Sequence, residues 1–357
     1  MLGLPIENEL HVGNSNREIF MSTAFLFPGQ GAQQVAMGKD FYDAFPAARV
    51  VFDQAEELTH LPLKRLCFEG PIEDLSRTDV AQPAIFTVSA ALLACMSSLL
   101  GPEQVDKIRP AFMAGLSLGE YTALFASGML SFTDAIRLVT RRGAAMQRAA
   151  QATPSAMVCV MGLDEQQAGA LCEHSADGEI LTCANFNCPG QIVLSGQIQA
   201  CKRAKESAGE FGASGAVELQ VAGAFHSPIM APARAELAGA LNEVKFSKPA
   251  EAKIAGRHEM PNPDWAQEFA SQSLKVIANV DAGPYDESPA GEKLLAQLTG
   301  AVRWQQSMEY LLGAGVTRFY EIGPGRVLSG LMRRIDRKAE VVAINSCQSL
   351  EKLAESF

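Results

Sequence analysis

AFMAGLSLG, residues 111–119, is the stretch on which the fold turns. Its first five residues read as a short apolar strand. The pentapeptide Gly115-Leu116-Ser117-Leu118-Gly119 then follows the G-x-S-x-G pattern. Glycines on both sides of the serine let the chain turn sharply from strand to helix, which lifts the Ser117 hydroxyl out of the sheet. A helix running to about Gly128 comes next, and a second one is expected over 132–150. The start of the first helix points backbone N–H groups and the positive end of its dipole at any oxyanion formed on the serine. Strand, turn and helix in this order build a mostly parallel sheet with helices on both faces.

The same rhythm extends in both directions. An apolar strand is expected at 24–28, before the loop Gly29-Gln30-Gly31, with helical periodicity over 37–58 and 83–99. Beyond the centre of the chain, a helix is expected over 228–244, strands near 276–279 and 317–321, and a helix over 327–335. Between them, 156–221 reads as strands at 157–161, 180–184, 192–195 and 216–220, with helices over 165–174 and 199–211. That βαββαβ order is the ferredoxin-like unit. The expected fold class is therefore α/β, with a large α/β-hydrolase-like domain (21–152 and 222–357) and an inserted ferredoxin-like subdomain (153–221). Residues 1–20 read as a polar leader before Met21, and 249–272 as a polar surface excursion.

Composition narrows the function classes. Apolar residues at 48% and charged residues at 20% suit a packed globular chain. A net charge of -10 argues against broad binding of nucleic acid or anionic membranes. The uncharged stretch 80–102 is diluted by Gln82, Pro83, Thr87, Ser89, Ser97 and Ser98, so it reads as a buried helix rather than a membrane span. Eight cysteines without a Cys-x-x-Cys pair, and without histidines at metal-finger spacing, read as reduced thiols of a cytoplasmic protein with no metal.

A serine nucleophile needs a base, and the chain has five histidines. His11 falls in the leader, His60 and His174 at helix ends, and His258 in the excursion. His226 stands in Gly223-Ala224-Phe225-His226-Ser227-Pro228, a small-residue loop between strand and helix, where functional groups are often presented. Elimination makes it the first candidate and no more. A serine hydrolase or thioesterase stays open, since Asp164 and Asp177 lie between Ser117 and His226 in the order Ser, Asp, His.

These motifs carry a family resemblance. From Met21 onward the chain resembles the malonyl-CoA:acyl-carrier-protein transacylases of fatty-acid synthesis. The matching segments are Phe27-Pro28-Gly29-Gln30-Gly31-Ala32-Gln33, Gly115-Leu116-Ser117-Leu118-Gly119-Glu120-Tyr121 and Arg142-Gly143. Asn185-Phe186-Asn187-Cys188-Pro189-Gly190-Gln191, the His226 loop and Glu321-Ile322-Gly323-Pro324-Gly325 complete the set. Leu116 departs from many relatives, which have histidine there.

The resemblance implies a malonyl-serine intermediate on Ser117, with His226 as base and then acid. It implies an oxyanion hole from the N–H groups of Gln30 and Leu118, and a histidine oriented by the backbone carbonyl of Gln297. Arg142 would bind the malonyl carboxylate, whereas Arg141 reads as solvated. Phe225 would crowd the acyl α-carbon, favouring malonyl over methylmalonyl. The partners implied are malonyl-CoA as substrate, CoA as product and an acidic acyl carrier protein, with no permanently bound cofactor. Lys202, Arg203 and Lys205, or Arg333, Arg334 and Arg337, are candidates to dock the carrier, and a monomer is expected. A free-standing acyltransferase of a polyketide pathway shares the same motifs.

Overall fold

Every residue of the first strand, β1 (Ser22–Phe27), is buried after the first. Phe25 and Phe27 enter a cluster on one side of the sheet, while Ala24 and Leu26 meet Trp304, Met308 and Leu328 on the other. A strand covered on both faces has no polar side to alternate with, which is why it reads as a continuous apolar run. The structure is a computed structural model that describes residues 22–248, 268–271, 273–285 and 289–357. The leader and nearly all of the 249–272 excursion, with His11 and His258, lie outside the described residues.

The remaining strands are β2 (Phe112–Gly115), β3 (Ser155–Met161), β4 (Leu181–Cys188), β5 (Gln191–Gln197), β6 (Gly215–Glu218), β7 (Lys275–Ile277), β8 (Val316–Ile322) and β9 (Glu340–Ile344). They form two sheets. One is parallel throughout, in the order β7-β2-β1-β8-β9. The other is antiparallel, in the order β4-β5-β3-β6, backed by the helices Glu165–Ala176 and Ile198–Ser207.

The helix Thr78–Leu99 has the length and hydropathy of a membrane span, but its most apolar stretch is wholly buried in the protein. It packs against the helices Pro46–Thr59 and Phe132–Ala152. The lack of charge after Asp79 therefore serves a core position. All eight cysteines are free thiols, six of them buried.

Several boundaries differ from expectation for local reasons. The helix expected over 37–58 is two helices, Lys39–Ala44 and Pro46–Thr59, parted at Phe45. Phe45 is extended, at φ −117° and ψ 122°, as the residue before a proline prefers. The helix expected over 228–244 begins as a 3₁₀ turn, Pro228–Met230, and becomes α-helical only over Ala231–Asn242. The strand expected at 180–184 runs on to Cys188, so that only Pro189-Gly190 turns the chain into β5.

Candidate active site

The parallel sheet delivers the serine. β2 ends at Gly115, and Ser117 takes φ 51° and ψ −99° before the helix Leu118–Ala126 begins. A non-glycine residue at positive φ costs on the order of 1–3 kcal/mol unless its surroundings hold it there. They do so from both sides. The Ser117 N–H donates to Asn279 Oδ1 at 2.7 Å, and the Ser117 carbonyl accepts from Gln297 Nε2 at 2.9 Å. Asn279 Nδ2 also donates to the Gly115 carbonyl at 2.8 Å, so the residue just past β7 clamps the whole turn.

The flanking glycines are set by close backbone approach. A Cβ on Gly115 would stand 1.9 Å from the Gly119 carbonyl carbon, and one on Gly119 would stand 2.0 Å from the Phe27 carbonyl oxygen. A Cβ on Gly29 would meet the Leu116 carbonyl oxygen at 2.3 Å. The Gly29-Gln30-Gly31 loop thus lies against the serine turn. Leu118 opens its helix, so its N–H has no acceptor within the helix.

The antiparallel sheet delivers the histidine. Ser155 Oγ, on β3, accepts from the Ala224 N–H at 3.0 Å, and Ser195 Oγ, on β5, donates to the Phe225 carbonyl at 2.6 Å. Ser227 Oγ donates to the Ala224 carbonyl at 2.7 Å. Three small hydroxyls therefore fix the loop that presents His226.

His226 Nε2 lies 2.8 Å from Ser117 Oγ, and Nδ1 lies 2.8 Å from the carbonyl oxygen of Gln297. A carbonyl can only accept, so Nδ1 carries the proton and Nε2 is free to accept one from the serine. Burial, then the neighbouring Arg142 charge, lowers the His226 pKa to about 4, with the Gln297 carbonyl opposing. A lowered pKa keeps the imidazole neutral, and so basic, until the pH falls to that region. An NMR titration of the His226 Cε1–H resonance is expected to have its midpoint near 4 rather than near the ordinary 6.5. An unshifted midpoint would mean that the ring is solvated.

Arg142 is 1% exposed. Its Nη1 donates to Gln82 Oε1 at 2.7 Å, and its Nη2 donates to Gln297 Oε1 at 2.9 Å and to Ser117 Oγ at 3.1 Å. Its Cζ lies 5.3 Å from the Tyr121 ring centre, and its Nε has no hydrogen-bond partner among the described residues. Burial lowers its pKa, while Tyr121 and Glu120 act the other way. The guanidinium is thus buried directly beside the serine hydroxyl, engaged by two side-chain amide oxygens.

Of the other expected residues, Gln297 sits fully buried in the helix Ala290–Thr299, and Phe225 is buried beside the histidine. Gln30 holds Thr78 Oγ1 through its side chain at 3.2 Å. Arg141 is exposed and paired with Glu243. Arg203 is not a free surface cation: it donates to the Ser175 and Ala176 carbonyls, capping a helix end, and to Glu179. Lys202, Lys205, Arg333, Arg334 and Arg337 are exposed. Leu116 is half-buried beneath the serine turn.

Sequence reading missed Gln82, Glu120, Asn279 and Tyr285. Glu120 is fully buried, and burial pushes its carboxyl up to about 7 against the hydrogen bonds of Tyr285, Gln297 and the Asn279 N–H and the charge of Arg142. Its place directly after the serine turn was the available signal; the other three carry none.

Comparison with known proteins gives the family. The family model described as "Acyl transferase domain" matches residues 24–278. Malonyl CoA-acyl carrier protein transacylase of Bacillus subtilis (strain 168) is 39% identical over 330 residues, which cover 92% of this chain and 95% of that protein. The solved structure of the malonyl CoA-acyl carrier protein transacylase of Coxiella burnetii superposes with a TM-score of 0.83 at 33% identity, covering 94% and 97% of the two chains. A further structure, a type II polyketide-synthase acyl carrier protein in complex with its malonyl-transacylase, matches at 34% identity and TM-score 0.82, covering 94% of this chain and all of that one.

Proposed function

The chain belongs to the acyl transferase family that includes the malonyl CoA-acyl carrier protein transacylases, and from that membership we propose how its residues carry the reaction. It is an acyltransferase that moves the malonyl group of malonyl-CoA to the phosphopantetheine thiol of an acyl carrier protein. In our reading the transfer passes through a malonyl-serine ester in two half-reactions.

Ser117 Oγ attacks the thioester carbonyl while its proton moves to His226 Nε2, and the Gln297 carbonyl steadies the imidazolium through Nδ1. The N–H groups of Gln30 and Leu118 hold the oxyanion. The carbon–sulfur bond breaks, and the CoA thiolate leaves with the proton from His226. In the second half the carrier thiol gives its proton to His226 and attacks the ester, and Ser117 recovers that proton on departure. Arg142 pairs with the malonyl carboxylate throughout. Phe225 leaves little room for a branched α-carbon, favouring malonyl over methylmalonyl.

The observation that carries this reading is one half-buried serine hydroxyl held between a basic nitrogen at 2.8 Å and a guanidinium at 3.1 Å. The acid–base partner explains acyl transfer, and the cation explains a dicarboxylic cargo. A hydrolase reading would have Asp164 or Asp177 orient the imidazole, but Nδ1 is taken by a backbone carbonyl.

We read the rest of the molecule to match. The large domain (21–152 and 222–357) is α/β-hydrolase-like, and 153–221 a ferredoxin-like subdomain, which the strand order β4-β5-β3-β6 supports. The enzyme is a cytoplasmic monomer without a permanent cofactor or metal. Lys202 and Lys205, or Arg333, Arg334 and Arg337, face the acidic carrier. Fatty-acid synthesis is the assigned pathway. The polyketide alternative is kept because a solved relative is paired with a polyketide carrier.

Intact-mass analysis tests the scheme. With malonyl-CoA the protein should gain one malonyl group, with acetyl- and methylmalonyl-CoA little or nothing, and the adduct should survive in water and discharge when a holo carrier is added. Discharge into water at the same rate without a carrier would make it a hydrolase.

A further inference from the structure

Behind the serine turn, Glu120 lies in the first turn of the helix Leu118–Ala126, fully buried. Its Oε2 accepts from Gln297 Nε2 at 2.7 Å and from the Asn279 N–H at 3.1 Å, and its Oε1 accepts from the Tyr285 hydroxyl. None of its contacts is with Ser117 Oγ or the His226 ring among the hydrogen bonds of the described residues. A buried carboxylate with three donors around it is well satisfied, yet nothing in the acyl-transfer steps uses it.

We propose that Glu120 is a positioning residue for malonyl selectivity: it fixes which way the Gln297 carboxamide faces, and through that amide aims Arg142 at the substrate carboxylate. The inference deepens the reading of Arg142 given above and rests on it.

The argument is one of donors and acceptors. Glu120 Oε2 already accepts the Asn279 N–H, and in the ionised form the carboxylate can only accept, so the Gln297 amide turns its NH₂ toward it. A planar amide then places its oxygen on the opposite side, where Arg142 Nη2 donates to it at 2.9 Å. The reversed amide would set oxygen against carboxylate oxygen and NH₂ against guanidinium. Both contacts would be repulsive and out of reach of water, where unpaired polar groups are most costly.

Glu120, together with the Ser117 carbonyl that accepts from the same NH₂ at 2.9 Å, thus forbids the flip. With Gln297 Oε1 fixed on one side and Gln82 Oε1 on the other, the guanidinium is pinned with Nη2 3.1 Å from Ser117 Oγ. The histidine is held separately, by the backbone carbonyl of Gln297 rather than by its side chain. The same Gln297 NH₂ also donates to the Ser117 carbonyl, but Asn279 grips that turn independently, so loss of the Glu120 charge should disturb the cargo-binding cation more than the acid–base pair. Tyr285 supports the same carboxylate from its other oxygen. The competing account makes Glu120 a plain structural carboxylate at a helix N-terminus. That account predicts equal damage to every acyl substrate.

The test compares kcat/KM for malonyl-CoA and acetyl-CoA in the full-length chain and in Glu120→Gln, Tyr285→Phe and Arg142→Ala. Glu120→Gln is expected to lower the malonyl value by about 10- to 100-fold, the scale of one hydrogen bond to a charged group, and the acetyl value by no more than about threefold. Tyr285→Phe, which keeps the carboxylate but removes one donor, should shift the malonyl-to-acetyl ratio the same way by a few-fold. It also serves if Glu120→Gln does not fold. Equal losses for both substrates in the variant that folds, or an unchanged ratio, overturn the proposal. The Arg142→Ala arm keeps the two ideas apart. If it leaves the ratio intact, the reading of Arg142 is wrong. If it collapses the ratio while the other two variants do not, only the role given to Glu120 fails.

Discussion

Ser117→Ala should abolish the malonyl adduct in intact-mass analysis and reduce transfer to the carrier by about 10⁴- to 10⁶-fold, the range seen when an activated nucleophile is removed. Its melting temperature should stay close to that of the parent. The contacts that hold the turn use the backbone N–H and carbonyl of residue 117, through Asn279 and Gln297, and alanine keeps both. What disappears is the hydroxyl shared by His226 and Arg142. The experiment therefore separates chemistry from folding. A variant that still became labelled at the same site in the chain, or that transferred malonyl at the parental rate, would place the nucleophile elsewhere.

Arg142→Ala carries the second large effect, and its signature is a change of preference. A malonyl carboxylate delivered to this buried floor without its guanidinium would be an uncompensated charge. Breaking a buried pair in this way costs about 3–5 kcal/mol, or roughly 10²- to 4 × 10³-fold in malonyl kcat/KM. Acetyl transfer makes no such demand, so its value should fall by less than about tenfold, for the lost contact to Ser117 Oγ. The ratio of the two rates, measured on one preparation, is the decisive quantity. Parallel losses would mean that the guanidinium serves the oxyanion or the packing and reads no carboxylate.

The sequence disclosed these residues unevenly, and the reasons are physical. Ser117 was legible because backbone crowding demands glycines on both sides of it, and that demand leaves a spelling. His226 could be reached by elimination only because histidines are few; its distance from the serine could not. Arg142 looks like any helical arginine beside Arg141 unless the family is considered, since nothing local distinguishes a cation facing the core from one facing water. Asn279, Tyr285 and Gln82 carry no local mark at all. Their partners lie 162, 165 and 60 positions away along the chain, and periodicity reports only on near neighbours. The order β7-β2-β1-β8-β9 was hidden for the same reason. By contrast, the split of the helix after Lys39 was readable in Phe45-Pro46 and shows what a single proline decides.

The three hydroxyls that pin the His226 loop bear on how such a chain can be rearranged. Two of them, Ser155 and Ser195, stand on strands of the antiparallel sheet, while the nucleophile rides on the other sheet. Chimaeras that exchange the sheet bearing β3 and β5 between relatives would inherit a foreign grip on the base, even with every reacting group retained. Crossovers made within 155–227 would break a heritable unit; a pair that flanks it would carry His226 across together with the three hydroxyls that pin its loop.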